Sequence, residues 1–156
     1  MKLHVEWGRP ILLKDATYDN MIYTLDLGKV SVDAGIYVFG RRWGSQFEAL
    51  YVGKARNIRS RVKTHLNNLR LMQHLHNAKT GKRIVLAGKF STKRGQQLPK
   101  CLTLAERALI RYFLSEGHDL VNKQGTRLRR HELESSGQHP KRFFPKLMYL
   151  EKAKGD

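Results

Sequence analysis

Two short apolar runs in the first third of the chain constrain its fold more than any other feature of the sequence. Residues 35–39 and 47–52 consist largely of β-branched and aromatic side chains, which favour strands. Turn-forming residues lie between the two runs, namely Gly40, Gly44 and Ser45. The pattern therefore predicts an antiparallel hairpin with a longer loop. The residues expected at the tip of that loop are Arg41, Arg42 and Trp43.

Helical periodicity begins directly after the second run. Asn57 is a typical N-cap, and it precedes apolar residues at helical spacing, namely Ile58, Val62, Leu66 and Leu69. Residues 83–90 predict a third strand. A second helix is predicted to begin at Thr103 and to stop at Gly117. Its expected buried stripe comprises Leu104, Ala105, Ala108, Leu109, Tyr112 and Phe113.

Both ends of the chain extend this core. Apolar stretches at 10–13 and 21–27 indicate short or edge strands. The segment 123–140 is polar and is predicted to be rich in loops. Residues 143–151 alternate like a final strand, and Pro145 within it favours an edge position.

These elements predict one domain over residues 1–156, of the α/β (α+β) class. The expected architecture is a small antiparallel β-sheet flanked by helices, with a β-β-α-β-α core at about 33–123. An N-terminal extension, 1–32, and a basic C-terminal extension, 124–156, complete the prediction.

Positive charge is concentrated in the middle of the chain. The sequence has 30 Lys and Arg against 13 Asp and Glu, a net charge of +17. Residues 1–34 carry 4 basic and 5 acidic side chains, residues 35–122 carry 17 and 4, and residues 123–156 carry 9 and 4. Repulsion among so many cations costs stability, so we expect a polyanionic partner, with nucleic acid favoured over an anionic membrane.

Other classes of protein are disfavoured by what the sequence lacks. The longest apolar runs, such as 84–87, are far shorter than the roughly 20 residues that cross a bilayer. No N-terminal segment has the layout of a signal peptide. Cys101 is the one cysteine, which excludes an intrachain disulfide and any zinc site built on two or more cysteines. We therefore expect a cytoplasmic protein that does not enter membranes.

Five segments resemble the GIY-YIG nucleases in the same order. They are Gly35-Ile36-Tyr37, Tyr51-Val52-Gly53-Lys54-Ala55, Asn57-Ile58-Arg59-Ser60-Arg61-Val62-Lys63-Thr64-His65-Leu66, Leu104-Ala105-Glu106-Arg107-Ala108-Leu109-Ile110 and Leu120-Val121-Asn122-Lys123. The first alone would be weak evidence, but the ordered set covers about residues 33–123. Val52 stands where the family usually has isoleucine, a conservative change. The resemblance implies the fold of that family and a small stand-alone endonuclease acting on DNA, either restriction-like or single-strand-specific.

The residues themselves suit a phosphate. We expect Tyr37 and Tyr51 at corresponding places on two paired strands, with Lys54 just after the second strand. Arg61 and His65 are four residues apart, so they share a helix face. Hydrolysis of a phosphodiester needs an activated water, positive charge on the phosphate and help for the leaving oxygen.

Each residue also has a structural interpretation. The two tyrosines could be ordinary strand aromatics, Arg61 a solvated cation and His65 a cover for the core edge. Thr103-x-x-Glu106 matches a capping box, in which Glu106 turns back to the helix start. Asn122 could be a turn residue. The joint spacing favours function.

The resemblance also implies roles. Glu106 would hold one divalent metal, Mg²⁺ or Mn²⁺. Tyr51 would be the candidate general base, with its pKa lowered by Lys54, although family members differ over whether a tyrosine, a lysine or a histidine takes the proton. Arg61 would stabilise the transition state. Tyr37 and His65 would orient the water or the phosphate, and Asn122 would support the site. The predicted catalytic residues are thus Tyr37, Tyr51, Lys54, Arg61, His65, Glu106 and Asn122.

A second set of cations is expected to contact the nucleic-acid backbone. Its members are Arg41, Arg42, Arg56, Arg59, Lys93, Arg94, Arg127, Arg129 and Arg130. The expected partner is single- or double-stranded DNA, bound by a monomer or a homodimer. The alternative is a non-catalytic or RNA-directed nucleic-acid-binding protein on the same fold.

Overall fold

The computed structural model describes residues 1–122, 126–127, 130–138, 140 and 142–151. It has a mixed α+β fold built on an antiparallel sheet, which confirms the predicted class. The helices are α1 (Ile58–Leu66), α2 (Leu69–Asn77) and α3 (Leu98–Ser115). The strands are β1 (Val5–Trp7), β2 (Ile11–Leu12), β3 (Lys14–Asp15), β4 (Tyr23–Thr24), β5 (Gly35–Trp43), β6 (Gln46–Ala55), β7 (Lys82–Phe90), β8 (Val121–Asn122), β9 (Thr126–Arg127), β10 (Arg130–Glu134) and β11 (Leu147–Glu151).

The main sheet has the strand order β1-β7-β5-β6, and β2 also pairs with β7. All of these pairings are antiparallel. The predicted hairpin is β5 and β6, but the predicted longer loop is wrong. The strands continue to Trp43 and resume at Gln46, so that only Gly44 and Ser45 connect them. Arg41, Arg42 and Trp43 therefore belong to β5 rather than to a loop tip.

Alternation along β5 sends its side chains into two separate cores. Tyr37 and Phe39 face α1 and α2, where they pack with Tyr51 of β6. Ile36 and Val38 point to the other face of the sheet, where they pack with residues of α3. The sheet is thus covered on both faces.

The corner between β6 and α1 is capped as the sequence predicts. The side chain of Asn57 accepts a hydrogen bond from the backbone N–H of Ser60 at 3.1 Å. The helix ends at Leu66, and α2, which was not predicted, begins at Leu69 with Asn68 as its own N-cap. Leu69 is 62% exposed, so its assignment to the apolar stripe of the first helix is wrong.

Helix α3 begins at Leu98, five residues earlier than the predicted start at Thr103. Gln97 is the N-cap and Pro99 lies in the first turn, where a missing N–H costs nothing. The hydroxyl of Thr103 donates to the carbonyl of Pro99 at 2.9 Å, so Thr103 is not an N-cap. The capping-box interpretation of Glu106 is therefore wrong, because Glu106 lies in the helix interior.

The buried stripe of α3 is also displaced from the predicted one. Leu104 and Tyr112 are 44% and 56% exposed, and Ala108 is exposed as well. The buried residues are Cys101, Leu102, Ala105, Ile110 and Leu114. The predicted stop is confirmed: Gly117 has a left-handed φ of 83°, and the N–H of His118 reaches back to the carbonyl of Phe113 at 2.9 Å.

The predicted N-terminal strands are present as short pieces, β2 in the first apolar stretch and β4 in the second. The predicted loop at 123–140 is wrong where β10 lies, because β10 pairs with β11 in a hairpin. The predicted final strand is confirmed as β11, which begins after Pro145. No helix of the described residues is both long and apolar enough to span a bilayer.

Candidate active site

Two strands and one helix bring Tyr37, Tyr51 and His65 together. The hydroxyl of Tyr37 lies 2.6 Å from Nε2 of His65, which α1 supplies from its last turn. The ring of Tyr51 is stacked 6.1 Å from that of Tyr37 and lies 4.9 Å from the imidazole. We refer to these three side chains as the Tyr–His cluster.

Gly53 makes room for the ring of Tyr37. The two residues are paired across β5 and β6, and the phenol ring lies over the glycine. Tyr51 is paired with Phe39 instead, so the prediction that the two tyrosines lie at corresponding places is wrong. A Cβ at position 53 would lie 2.3 Å from both Cζ and Oη of Tyr37, closer than real atoms approach. Any side chain there would push the phenol away from His65. The glycine is thus required by the position of the tyrosine.

Burial controls the protonation of the Tyr–His cluster. It raises the pKa of Tyr37 far above the usual value for a phenol, and it raises the pKa of Tyr51 as well. It lowers the pKa of His65 to about 4, an effect to which the nearby charge of Arg61 adds. At neutral pH all three groups are therefore uncharged, and the imidazole of His65 is neutral.

The prediction that Lys54 lowers the pKa of Tyr51 is wrong. The pKa of Tyr51 is raised, because desolvation of the phenolate, together with the charge of Glu106, outweighs the charge of Arg61, which lowers it. Lys54 instead turns its ammonium towards α3.

An ion pair joins the end of β6 to α3. Nζ of Lys54 lies 3.0 Å from Oε2 of Glu106 and donates to Oγ1 of Thr103 at 3.0 Å. The two charged side chains are 38% and 19% exposed. Both groups are therefore reachable from solvent while their positions are fixed by hydrogen bonds.

Arg61 and Glu106 lie close enough to the tyrosines for their charges to act on them. Arg61 lowers the pKa values of Tyr37 and Tyr51, and Glu106 raises them. Arg61 is exposed on α1, one turn before His65. Six of the seven predicted catalytic residues thus converge on one region, from β5, β6, α1 and α3.

A cleft of about 540 Å³ adjoins this region. Its lining includes Lys54 and Arg61 but none of the three residues of the Tyr–His cluster. The remaining lining residues are Ala55, Arg56, Asn57, Ser60, Thr64, Pro99, Leu102 and Thr103. We refer to it as the α1–α3 cleft.

The side chain of Asn122 binds the backbone of the edge strand β6. Its Oδ1 accepts from the N–H of Val52 at 3.1 Å, and its Nδ2 donates to the carbonyl of Val52 at 2.7 Å. Because β6 is at the edge of the sheet, these backbone groups would otherwise lack a strand partner. His118 adds a third bond to the same edge, accepting from the N–H of Ala49 at 2.7 Å.

The residues present fit a divalent cation that keeps most of its water ligands better than one bound mainly by protein side chains. In the part of the chain that the structure describes, no three or more His, Cys, Asp or Glu side chains gather in a way that could hold a metal ion. Mg²⁺ usually keeps several waters and takes one or two protein carboxylates together with substrate phosphate. One carboxylate, that of Glu106, is enough to meet that requirement.

Two of the predicted nucleic-acid contacts have partners inside the protein. Arg41 is only 6% exposed, pairs with Glu48 at 2.9 Å and lies over the ring of Trp43, so its assignment to the nucleic-acid surface is wrong. Arg59 donates to the carbonyls of Val30 and Gly28 at 2.9 and 3.3 Å. These hydrogen bonds connect the N-terminal segment to α1.

The other predicted contacts differ in their surroundings. Arg56 is exposed and lines the α1–α3 cleft, whereas Arg42 is half-buried on β5. Lys93 and Arg94 are exposed in the loop before α3. Arg129 lies outside the described residues. Arg127 and Arg130 belong to β9 and β10, but their side chains lie outside the description and their role stays a prediction.

Sequence reasoning missed the hydroxyl groups of the cleft. Ser60 and Thr64 are four residues apart on α1, so they share a helix face, and both line the cleft. The signal in the sequence was this four-residue spacing of two hydroxyl residues, which follows Arg56. The sequence predicted Thr103 only as an N-cap.

Comparisons with protein-family models, with curated proteins and with solved structures found no match for this chain. The resemblance to the GIY-YIG nucleases therefore depends on the sequence motifs alone.

Proposed function

We propose that this chain is an endonuclease that hydrolyses phosphodiester bonds in DNA with the help of one divalent cation. The observation that carries the proposal is the ion pair between Lys54 and Glu106, 3.0 Å apart beside the Tyr–His cluster. It brings a solvent-accessible ammonium and carboxylate from distant parts of the chain next to groups that can move a proton. The GIY-YIG resemblance assigns catalytic roles to these same residues.

The charge of the region supports an anionic substrate. Lys54 and Arg61 both line the cleft, and Arg61 presents a guanidinium that can pair with two phosphate oxygens. Residues 35–122, which contain the whole candidate site, hold 17 basic and 4 acidic side chains. Cations in a partly desolvated cleft stabilise the extra negative charge of a phosphoryl transition state.

In this proposal the Tyr–His cluster removes the proton from the attacking water. Neutral His65 accepts the hydroxyl proton of Tyr37 across the 2.6 Å hydrogen bond, and the negative charge of the bound phosphate offsets the burial and the Arg61 charge that lower the pKa of His65. As that proton moves to Nε2, the oxygen of Tyr37 takes one from the water, which leaves a hydroxide to attack phosphorus. Tyr51 stays protonated, because burial raises its pKa, and it orients the water as a hydrogen-bond donor.

The remaining residues act on the phosphate. Arg61 neutralises the non-bridging oxygens as negative charge grows on them. Lys54 exchanges its carboxylate partner for the phosphate when substrate binds. Glu106 would hold the Mg²⁺ or Mn²⁺, and the ion would supply Lewis-acid stabilisation of the leaving oxygen. Asn122 keeps the edge of β6 in place.

A substrate panel tests this proposal. The purified chain is incubated with end-labelled single-stranded DNA, double-stranded DNA and RNA of one sequence, in Mg²⁺ and in EDTA, and the products are separated by size. The proposal predicts internal cleavage of DNA in Mg²⁺ and none in EDTA. Binding without cleavage of any substrate would instead support a non-catalytic module, and cleavage of RNA alone would support an RNA-directed protein.

A further inference from the structure

We propose that the α1–α3 cleft binds one unpaired nucleotide of the strand to be cut, so that the substrate is single-stranded or locally unpaired DNA. This inference rests on the proposed function, because it takes the neighbouring Tyr–His cluster as the place of cleavage. It adds the strand state of the substrate, which neither the motifs nor the ion pair determines.

The cleft has an apolar wall as well as a charged one. Ala55, Pro99 and Leu102 contribute the apolar wall, and Lys54, Arg56 and Arg61 contribute the cations. A surface that contacts only phosphates needs no apolar wall, because phosphate oxygens are charged and strongly hydrated. A nucleotide presents a flat base on one side and a phosphate on the other, which matches both walls.

The volume of the cleft fits one nucleotide. At about 540 Å³ it is within the range of roughly 300–1,000 Å³ typical of sites for single small molecules. A base pair with its stacked neighbours is much larger and cannot enter. A base that belongs to a duplex would have to leave its stack, which costs free energy, whereas an unpaired base pays little of that cost.

The hydroxyl groups on the walls favour a base over a second phosphate. The hydroxyl of Thr64 donates to the carbonyl of Ser60 at 3.0 Å, so its oxygen can only accept a further hydrogen bond. While it makes this bond, the Thr64 hydroxyl offers no proton to a phosphate oxygen but can accept one from the amino group of a base. The exposed hydroxyl of Ser60 can act as either donor or acceptor.

The position of the cleft makes its nucleotide a neighbour of the scissile phosphate. Lys54 and Arg61 line the cleft and also belong to the candidate active site. A phosphate held between these two cations is therefore one bond away from a sugar and base that enter the cleft. The nucleotide in the cleft and the phosphate to be cleaved are consecutive in one strand.

A binding experiment without cleavage tests the inference. The Glu106→Gln protein is titrated in EDTA with a fluorescent 12-nucleotide strand and with the matched duplex, and anisotropy gives both affinities at one salt concentration. We expect the single strand to bind at least about tenfold more tightly than the duplex. Adding Ser60→Trp, which fills the cleft, should remove most of that preference and leave duplex affinity unchanged.

Gln73→Trp is the matched control, because Gln73 is exposed on α2 and does not line the cleft. It should leave both affinities unchanged. Equal affinity for the two DNA forms, or an equal loss for both forms with Ser60→Trp, would overturn the inference.

A charge variant gives an independent test that does not depend on the tryptophan variant folding. Arg56→Gln should weaken single-strand binding more than Lys63→Gln, because both are exposed cations near α1 but only Arg56 lines the cleft. Equal losses for the two variants would contradict the inference. Because these measurements involve no cleavage, a negative result would contradict the single-strand inference but not the proposed nuclease activity. A negative result in the cleavage assay would contradict the nuclease activity.

Discussion

The hydroxyl oxygen of Tyr37 lies 2.6 Å from Nε2 of His65, and burial keeps both groups uncharged. The two residues are 28 positions apart, one on β5 and one on α1, and the absence of a side chain at Gly53 lets them meet. In the proposed mechanism this phenol–imidazole pair carries a proton from the attacking water towards α1. The proposed chemistry depends on this path.

Removal of the hydroxyl group of Tyr37 should lower the cleavage rate strongly and the free energy of unfolding only slightly. We expect Tyr37→Phe to slow DNA cleavage by at least about 100-fold, the lower range for a lost acid–base group. The free energy of unfolding should fall by only about 1–2 kcal/mol, since the ring still fills its place. Single-turnover cleavage and urea unfolding measure the two effects. Tyr18→Phe is the control, because Tyr18 is fully exposed, and a Tyr37→Phe rate equal to the control rate would exclude this proton path.

Stability should depend on pH through His65. Its pKa is about 4 in the folded chain against an ordinary value of 6.5, so the unfolded chain binds the proton first as pH falls. The stabilisation is present above about pH 6.5 and is lost towards pH 4, by roughly 3 kcal/mol. His65→Phe should flatten the pH profile of urea unfolding, and His4→Gln, at an exposed site, should not. Parallel profiles for wild type and His65→Phe would refute the assignment.

Gly53 should not tolerate even a methyl group. Gly53→Ala places a Cβ 2.3 Å from Tyr37, so either the ring or the strand must move. We expect a loss of about 1–3 kcal/mol in the free energy of unfolding and a cleavage rate as low as that of Tyr37→Phe. Gly8→Ala adds a methyl group at an ordinary 3.6 Å from the carbonyl of Ala87 and is the control. Full activity in Gly53→Ala would show that the position of the ring is unimportant.

Asn122 should stabilise the edge strand rather than take part in chemistry. Asn122→Ala removes both hydrogen bonds to Val52, which should lower the free energy of unfolding by about 2–4 kcal/mol. The amide of Val52 should then exchange its hydrogen faster, as NMR can show. Asn77→Ala, at an exposed helix end, should change neither quantity. A stable Asn122→Ala variant without activity would argue for a direct catalytic role.

The elements with a strong hydrophobic pattern could be predicted from the sequence, and the errors elsewhere have physical causes. β-branched runs indicated β5, β6 and β7, and Asn57 correctly marked the start of α1. The start of α3 was placed too late because Thr103 offered a good cap, whereas Pro99 favours the first turn of a helix. The strand β10 was missed because its residues are polar and its partner β11 is distant in sequence.

The site was predictable as a set of residues but not as an electrostatic environment. The motifs brought out Tyr37, His65 and Glu106. The effect of burial on the pKa of Tyr51 depends on packing by α1 and α2, and α2 was not predicted. Arg41 looks like a surface cation in sequence, and only the register that pairs β5 with β6 places Glu48 beside it.

Cleavage of DNA by Glu106→Gln, compared with wild type, tests the central claim most directly. The substitution keeps the size of the side chain and removes the charge that would hold the cation. Single-turnover assays in Mg²⁺ should show a loss of at least about 1,000-fold, with DNA affinity in EDTA retained. Glu116→Gln, exposed just beyond the end of α3, should cut at the wild-type rate. A folded Glu106→Gln protein that also cuts at the wild-type rate would contradict the account.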